Sequence, residues 1–197
     1  MRVVLATHNP HKAAEFQQIL GDAVPGLVIV SYDGPEPIED GVTFEENALI
    51  KARAAAAHTG LTALADDSGI CVDAMGGAPG IFSARWAGRH GDAEANLRLL
   101  LDQLADLPEG ARAAHFTATL ALVAPDGDET VVEGVWRGRI APDARGGHGH
   151  GYDPIFIPDG HDETAAELGP AVKNVESHRA RAFAAVIPAL SALVARA

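Results

Sequence analysis

The first residues able to do chemistry form the segment Thr7-His8-Asn9-Pro10-His11-Lys12, which follows the short apolar run 2–6. Asn9 is a good N-cap and proline suits the first helical position, so the segment predicts a strand-to-helix turn. Backbone N–H groups at a helix N-terminus bind anions, and Lys12 adds a point charge. The turn is therefore a candidate phosphate site. It is not a GxxxxGK[ST] loop, and an ordinary capped helix stays open as the alternative.

A second group, Asp66-Asp67-Ser68, follows the apolar run 61–65, which predicts a strand ending there. In open α/β sheets, ligands collect at the carboxyl ends of strands. Adjacent residues of an extended chain point to opposite faces, so at most one of the two carboxylates is expected to face a given site. Carboxylates near phosphates are the usual environment of Mg²⁺, and Glu39 in an acidic loop could supply another oxygen. A polar turn is the alternative for the pair, and a solvated charge is the alternative for Glu39.

A third group joins Lys173 to Ser177-His178-Arg179, before and at the start of a helix predicted over 177–197. A lysine, a histidine and an arginine near a helix N-terminus suit an anionic or oxygen-rich ligand. A merely structural basic turn is disfavoured, because cations are poorly placed at that end of the helix dipole. The Gly/His loop 146–151 does not match a dinucleotide fingerprint, because no helix clearly follows it.

Composition limits the class of protein. The chain has 197 residues, of which 47% are hydrophobic, and this is enough for one domain with a substantial core. The formal net charge of −12 argues against a general nucleic-acid binder. One cysteine, Cys71, cannot build a disulfide framework, and the N-terminal apolar stretch is too short for a signal peptide. No apolar run reaches the roughly 18 residues of a membrane span, so we expect a single cytoplasmic domain over 1–197.

Lysine is scarce in this chain, with three lysines among 15 basic residues. Arginine replaces lysine readily on a solvated surface, but not where a compact ammonium is needed. The three are Lys12, Lys51 and Lys173, and from composition alone a functional interpretation and chance retention both stay open.

The elements that must position these groups follow from patterning and capping. Thr43-Phe44-Glu45-Glu46 is typical of a capping box that opens an Ala-rich helix reaching His58. The β-rich runs 113–123 and 129–136, separated by Pro-Asp-Gly-Asp, predict a hairpin. Strands and helices alternate earlier in the chain, so the sequence predicts an α/β domain with a mixed sheet. The other expected elements are strands at 2–6, 27–30 and 61–65, and helices at 10–20, 93–104 and 177–197.

Six short motifs occur in order: THNPHK at 7–12, GVTFEENALIKA at 41–52, LADDSG at 64–69, GGAPGIFSAR at 76–85, GYDPIF at 151–156, and TAAEL…K…SHR between 164 and 179. Together they resemble the inosine/xanthosine triphosphate pyrophosphatase family, over nearly the whole chain. The resemblance implies an α/β fold in which a long mixed β-sheet with flanking helices forms two lobes around a central cleft. It also implies Mg²⁺-dependent hydrolysis of ITP, dITP and XTP to the monophosphate and pyrophosphate, by a homodimer.

The same resemblance implies roles for matching positions. The turn from Thr7 to Lys12 would hold the nucleoside triphosphate, with Asn9 and Lys12 as its main side chains. Asp67 would be the catalytic carboxylate and a Mg²⁺ ligand, and Glu39 would lie near the same metal. Lys51 is expected on the phosphates or among the carboxylates. The remaining substrate contacts would come from Ser68, His150, Gly151, Tyr152, Asp153, Lys173, His178 and Arg179.

His150 departs from the family pattern, which usually has a phenylalanine stacked on the purine at this position. An imidazole still stacks, but it is smaller and ordinarily titrates near physiological pH. Two other functions stay open. One is a module that senses nucleotide phosphates without hydrolysis, which the acidic trio Glu39, Asp66 and Asp67 disfavours. The other is a related pyrophosphatase for a different modified nucleotide, such as a methylated pyrimidine.

Overall fold

The computed structural model describes residues 1–8 and 10–196, and it describes the backbone alone for residues 10–12, 14 and 15. Short 3-10 turns at 73–75, 80–85, 109–111 and 153–155 connect some of the elements. The helices and strands are β1 (Arg2–Leu5), α1 (Pro10–Ala23), β2 (Val28–Ser31), α2 (Phe44–Thr59), β3 (Thr62–Val72), α3 (Ala93–Gln103), β4 (Ala113–Val123), β5 (Glu129–Ile140), β6 (Phe156–Pro158), α4 (Ala165–Glu176) and α5 (His178–Arg196).

The strands form one six-stranded sheet with the order β2-β1-β3-β4-β5-β6. Strand β1 is parallel to both of its neighbours, with Val3 opposite Ile29 of β2 and Thr62 of β3. Helices α1 and α2 provide the crossovers that parallel neighbours require. Strands β5 and β6 pair antiparallel, so the sheet is mixed. The predicted α/β class with a mixed sheet is therefore confirmed.

The chain folds into two compact units. Unit 1 contains Met1–Asp67, Ala118–Glu133 and Ala182–Ala197, and unit 2 contains Ser68–Thr117 and Gly134–Arg181. Strand β3 passes from unit 1 to unit 2 between Asp67 and Ser68, so the candidate carboxylate and the candidate serine belong to different units.

Unit 1 has a core on each face of its strands. Val3, Leu5 and Leu64 pack in a cluster with apolar residues of α1 and α5, where the rings of Phe16 and Phe183 meet edge to face at 4.7 Å. The residues between them, Val4, Ala63 and Ala65, pack instead against the alanines of α2. This alternation is the period of two expected of a strand, and it decides which face Asp66 and Asp67 take.

Unit 2 has its own aromatic core. Ile70 and Val72 of β3 lie in a buried cluster with Leu100 of α3 and with three rings, Phe116, Trp136 and Phe156. Helix α3 begins as predicted, because Asp92 accepts a hydrogen bond from the Ala95 N–H at 3.2 Å.

Three expectations about the elements were wrong. Strand β3 does not end at Ala65 but continues through the polar residues 66–69, because sheet pairing on its neighbours outweighs their low strand propensity. Helix α1 does not stop at Gly21 but reaches Ala23. Helix α4 was not predicted; its backbone is non-helical at Gly169, with φ 74°, which marks a kink before Pro170.

Membrane insertion finds no support in the helices. Among residues 1–8 and 10–196, none of the helices combines the length and the apolarity needed to cross a membrane.

Candidate functional site

Helix α2 carries Lys51, and the start of this helix is fixed by local chemistry. The Thr43 hydroxyl accepts a hydrogen bond from the Glu46 N–H at 3.1 Å, as the capping-box prediction requires. The Glu46 carboxylate returns to the N–H of Val42 at 2.6 Å, one residue before the cap. The helix ends at Gly60, which takes the left-handed conformation.

Lys51 lies between two predicted metal ligands. Its Nζ is 3.0 Å from Glu39 Oε2 and 3.5 Å from Asp67 Oδ1. The side chains of Lys51 and Asp67 are largely buried, with 15% and 18% of their surface exposed. We call Glu39, Lys51 and Asp67 the carboxylate–lysine cluster. One ammonium here serves two carboxylates, so the cluster carries excess negative charge.

The parity of β3 explains why Asp67 joins this cluster. Ala63 and Ala65 face α2, so Asp67, two residues further on, faces the same helix. Asp66 takes the opposite parity and is 7% exposed. The prediction that the two carboxylates take opposite faces fits this arrangement.

Burial and neighbouring charges shift the ionisation of the cluster. Burial raises the pKa of Asp67, and attraction to Lys51 lowers it less than burial raises it; Glu39 and Asp66 raise it further. Burial alone would lower the pKa of Lys51, but Asp67 and Glu39 outweigh burial and raise it. Lys51 is therefore a cation at neutral pH, and Asp67 is a carboxylate that takes up a proton more readily than usual.

The donor set of the cluster fits a hard divalent cation. Glu39 and Asp67 supply carboxylate oxygens, the ligands that hard divalent cations prefer. In the part of the chain that the structure describes, no group of three or more His, Cys, Asp or Glu side chains is arranged to hold a metal ion. Two protein carboxylates suit Mg²⁺, which usually takes its other ligands from water and substrate phosphates.

Asn47 is a member of this region that sequence reasoning missed. Its side chain is buried, its Oδ1 accepts the Gly41 N–H at 3.0 Å, and the same side chain hydrogen-bonds to Asp67. A Cβ at Gly41 would lie 2.7 Å from that oxygen, so this close approach needs glycine. The available signal was a carboxamide on the face of α2 that otherwise presents alanines to the core.

The predicted phosphate turn is described in part. Helix α1 begins at Pro10, as expected from the Asn-Pro pair. Asn9 lies outside the described residues, as do the side chains of Pro10, His11 and Lys12. The roles predicted for those four residues stay predictions.

His8 binds the loop that follows β2. Its Nδ1 is 2.8 Å from Glu36 Oε1, its Nε2 is 2.8 Å from the carbonyl oxygen of Gly34, and its ring stacks on Tyr32. Both partners are acceptors, so both contacts are hydrogen bonds in the imidazolium form. The hydrogen bond to Glu36 and that to Gly34 raise the pKa of His8.

In unit 2, Lys173 pairs with Asp153. Lys173 Nζ is 2.6 Å from Asp153 Oδ2, and that same oxygen accepts the His150 N–H at 2.8 Å. Asp153 is buried, with 6% of its surface exposed, and the Lys173 side chain is largely buried, with 20% exposed. A Cβ at Gly149, where φ is +81°, would collide with Asp153 and lie 2.8 Å from Lys173 Nζ. The pair thus holds the loop before Tyr152, with Lys173 presented from the unexpected helix α4.

The Tyr152 side chain is buried in the core of unit 2. Its hydroxyl donates to the carbonyl oxygen of Ser83 at 2.8 Å, and burial raises the pKa of the phenol strongly. Ser83 Oγ in turn accepts the Ile70 N–H at 2.9 Å. His150 is exposed, whereas Gly151 and Ser68 are half-buried.

His178 and Arg179 open helix α5, where the Ser177 hydroxyl accepts the Ala180 N–H at 3.2 Å. The His178 imidazole stacks on Phe116, with ring centroids 4.8 Å apart and planes 12° apart. Arg179 Nε is buried and has no hydrogen-bond partner among the described residues. A buried donor without a partner is costly, so this nitrogen is an unusual feature of the start of helix α5.

The predicted residues therefore fall into two described groups. Unit 1 brings together Glu39, Lys51 and Asp67, with Asn47 behind them. Unit 2 brings together His150, Asp153 and Lys173, and places His178 beside Arg179 at a helix start.

Comparisons with known proteins give concordant results. A family model described as the Ham1 family matches residues 3–189. The dITP/XTP pyrophosphatase of Leifsonia xyli subsp. xyli is 83% identical over 193 residues, covering 98% of this chain and 97% of the relative. The dITP/XTP pyrophosphatase of Nocardia farcinica is 53% identical over 200 residues, covering 99% and 97%.

Solved structures give the same result for the fold. The crystal structure of a nucleoside-triphosphatase / dITP/XTP pyrophosphatase from Mycobacterium abscessus has a TM-score of 0.83 and 50% identity, covering 95% of this chain and 100% of that chain. The structure of a HAM1 protein from Coxiella burnetii has a TM-score of 0.88 and 40% identity, covering 100% of both chains.

Proposed function

This chain belongs to the Ham1 family, and on that premise we propose that it is a Mg²⁺-dependent pyrophosphohydrolase of dITP, XTP and ITP. The observation that carries the chemistry is the carboxylate–lysine cluster, in which Lys51 contacts both Glu39 and Asp67. The names of its relatives, dITP/XTP pyrophosphatases, supply the substrate class.

Hydrolysis of the triphosphate needs an aligned water and compensation of phosphate charge. Water attacks the α-phosphorus, the bond to the bridging oxygen breaks, and pyrophosphate leaves. We assign Asp67 to orient this water and to take up its proton, because its raised pKa lies closer to neutral pH than that of an ordinary aspartate. Lys51 offsets negative charge on the phosphate oxygens. Mg²⁺ held by Glu39 and Asp67 would add Lewis-acid stabilisation of those oxygens.

Base recognition is assigned to the start of α5. Hypoxanthine and xanthine present a carbonyl oxygen at the purine 6-position, whereas adenine presents an amino group. Arg179 Nε is a buried donor without a hydrogen-bond partner among the described residues, and His178 is the residue before it in the chain. Adenine would leave such donors unpaired, and a site of this kind rejects the wrong substrate by a large factor.

Assembly and location complete the proposal. We expect a homodimer working in the cytoplasm, as the family resemblance implies. Light scattering should then give about twice the 20.4 kDa mass of the chain, and a monomer at working concentration would overturn this part.

Release of pyrophosphate from a nucleotide panel with Mg²⁺ tests the function. We expect ITP, dITP and XTP to be hydrolysed, and ATP and dUTP to be poor substrates; GTP, which shares the 6-oxo group, tests whether a 2-amino group is also excluded. Binding of all nucleotides without release would support a sensor module instead. Preference for a modified pyrimidine would support the other alternative, and in both cases our proposal would be wrong.

A further inference from the structure

The imidazole of His178 packs at the end of a row of buried aromatic rings. It lies nearly parallel to Phe116, with centroids 4.8 Å apart and planes 12° apart. Phe116 meets Phe156 edge-on at 4.8 Å, and Phe156 packs against Trp136 at 5.4 Å. All three supporting rings are at most 8% exposed, so core packing fixes their orientation.

This stack restrains His178 in a way that its helix alone does not. Residues at the start of a helix retain freedom about their side-chain torsions, and a histidine ring turns readily about its second torsion. A face-to-face contact with a fixed phenyl ring removes that rotation while the stack persists. His178 Nδ1 is also buried, so one edge of the ring is directed into the protein.

We propose that Phe116 is a positioning residue for base recognition: its ring fixes the plane of the His178 imidazole and thereby contributes to the preference for 6-oxo over 6-amino purines. The inference rests on the proposed function, because it takes His178 as a group that reads the purine. Phe116 itself acts through His178, and its place is in strand β4 of unit 2.

The structure offers a matched control in the neighbouring ring. Phe116→Leu removes the stacked face while keeping an apolar side chain, and Phe116→Tyr keeps the face. Phe156→Leu makes the same change one ring away, in the same buried cluster, and among the described residues Phe156 has no ring contact with His178. Both leucine variants lose core volume, so thermal melts of all variants measure that shared cost.

The first measurement is the ratio of kcat/KM for ITP to kcat/KM for ATP. We expect Phe116→Leu to lower this ratio about three- to tenfold, the range expected of one aromatic stack. Phe116→Tyr should stay within about twofold of the unchanged protein, and Phe156→Leu should keep the ratio although its Tm falls. An unchanged ratio in Phe116→Leu, or an equal loss in Phe156→Leu, would overturn the inference.

The second measurement needs no substrate. Ring currents from Phe116 shift the imidazole proton resonances of His178, which are identified by their loss in His178→Gln. These resonances should move in Phe116→Leu and stay in place in Phe156→Leu; the reverse would overturn the positioning role. If the unchanged protein shows no preference for ITP, the proposed function fails, and the resonances alone then decide whether Phe116 orients His178.

Discussion

Each of the two units contains a largely buried lysine that contacts carboxylate groups, but the number of carboxylates per lysine differs. In unit 1, Lys51 is shared by Glu39 and Asp67, so negative charge is in excess. In unit 2, Lys173 meets Asp153 one to one, and the same carboxylate oxygen also accepts a backbone N–H. An unbalanced cluster is ready to take up a cation or a proton, whereas a balanced buried pair fixes a loop. We therefore expect the two ion pairs to have different roles.

The supporting residues differ in the same way. Asp67 is held by the amide of Asn47, which also accepts the Gly41 N–H. His178 is held by the ring of Phe116. Hydrogen bonds suit a carboxylate whose charge matters, and ring packing suits a group whose plane matters.

The largest expected effect is on kcat, and it comes from a change in the carboxylate–lysine cluster of unit 1. Asp67→Asn should lower kcat about 10²- to 10⁴-fold, because it removes the group assigned to take the proton from water. The fold should persist, since burial already raises the pKa of Asp67 and a neutral carboxamide carries no buried charge. Pyrophosphate release and circular dichroism check both halves; near-normal turnover would remove Asp67 from the mechanism.

The second prediction separates the sites by stability. Asp153→Ala should lower the free energy of unfolding by about 3–5 kcal/mol, because it leaves the largely buried Lys173 without its partner. Urea unfolding measures the change. The control is Glu129→Ala, which breaks the more exposed ion pair with Arg53 and should cost at most about 1 kcal/mol. Equal costs would erase the contrast between a buried and an exposed pair.

Two buried asparagines, Asn47 and Asn96, allow a comparison between an amide beside the carboxylate–lysine cluster and an amide that bonds to the backbone. Asn47 and Asn96 are each 2% exposed and lie in helices, but Asn96 bonds to the backbone of Ala84 and Ala87. Asn47→Ala should lower kcat about 10- to 100-fold with KM little changed, since one hydrogen bond to a charged group contributes about 1.5–3 kcal/mol. Asn96→Ala should lose stability but keep kcat. Equal kcat in the two variants would make Asn47 merely structural.

The pH dependence gives a smaller test with a defined sign. Lys51 lowers the pKa of Asp67 and Glu39 raises it. Lys51→Met should therefore move the acid limb of the kcat/KM profile to higher pH, and Glu39→Gln should move it to lower pH. Shifts in the same direction in both variants would show that the limb does not report Asp67.

Local signals predicted much of the fold. Local patterns predicted the helix caps at Thr43 and Asp92 and the turn between β4 and β5, because each of these features depends on a few neighbouring residues. Helix α4 was not predicted, although Thr164 and Glu167 form a reciprocal capping box that signals its start; its Gly169-Pro170 kink interrupts the helical pattern. The continuity of β3 depends on pairing with distant strands, which no local pattern records.

The site was predictable in its parts but not in its assembly. The residue types at Glu39, Lys51 and Asp67 suggested phosphate and metal chemistry, and the family resemblance joined them. Their contact depends on strand parity and on the packing of α2, which are tertiary properties. The roles of Asn47 and Phe116 were not predicted. In a sequence, a buried amide and a buried ring cannot be distinguished from other core residues until their partners are known.

We propose that residues of unit 1 carry out hydrolysis and residues of unit 2 select the base, and one assay separates these two roles. Pyrophosphate release from ITP and from ATP is measured for Asp67→Asn and Arg179→Ala under the same conditions. We expect Asp67→Asn to lose turnover while its residual activity still favours ITP, and Arg179→Ala mainly to lose the preference. A preference lost in Asp67→Asn, or kept in Arg179→Ala with only lower turnover, would contradict the division of roles.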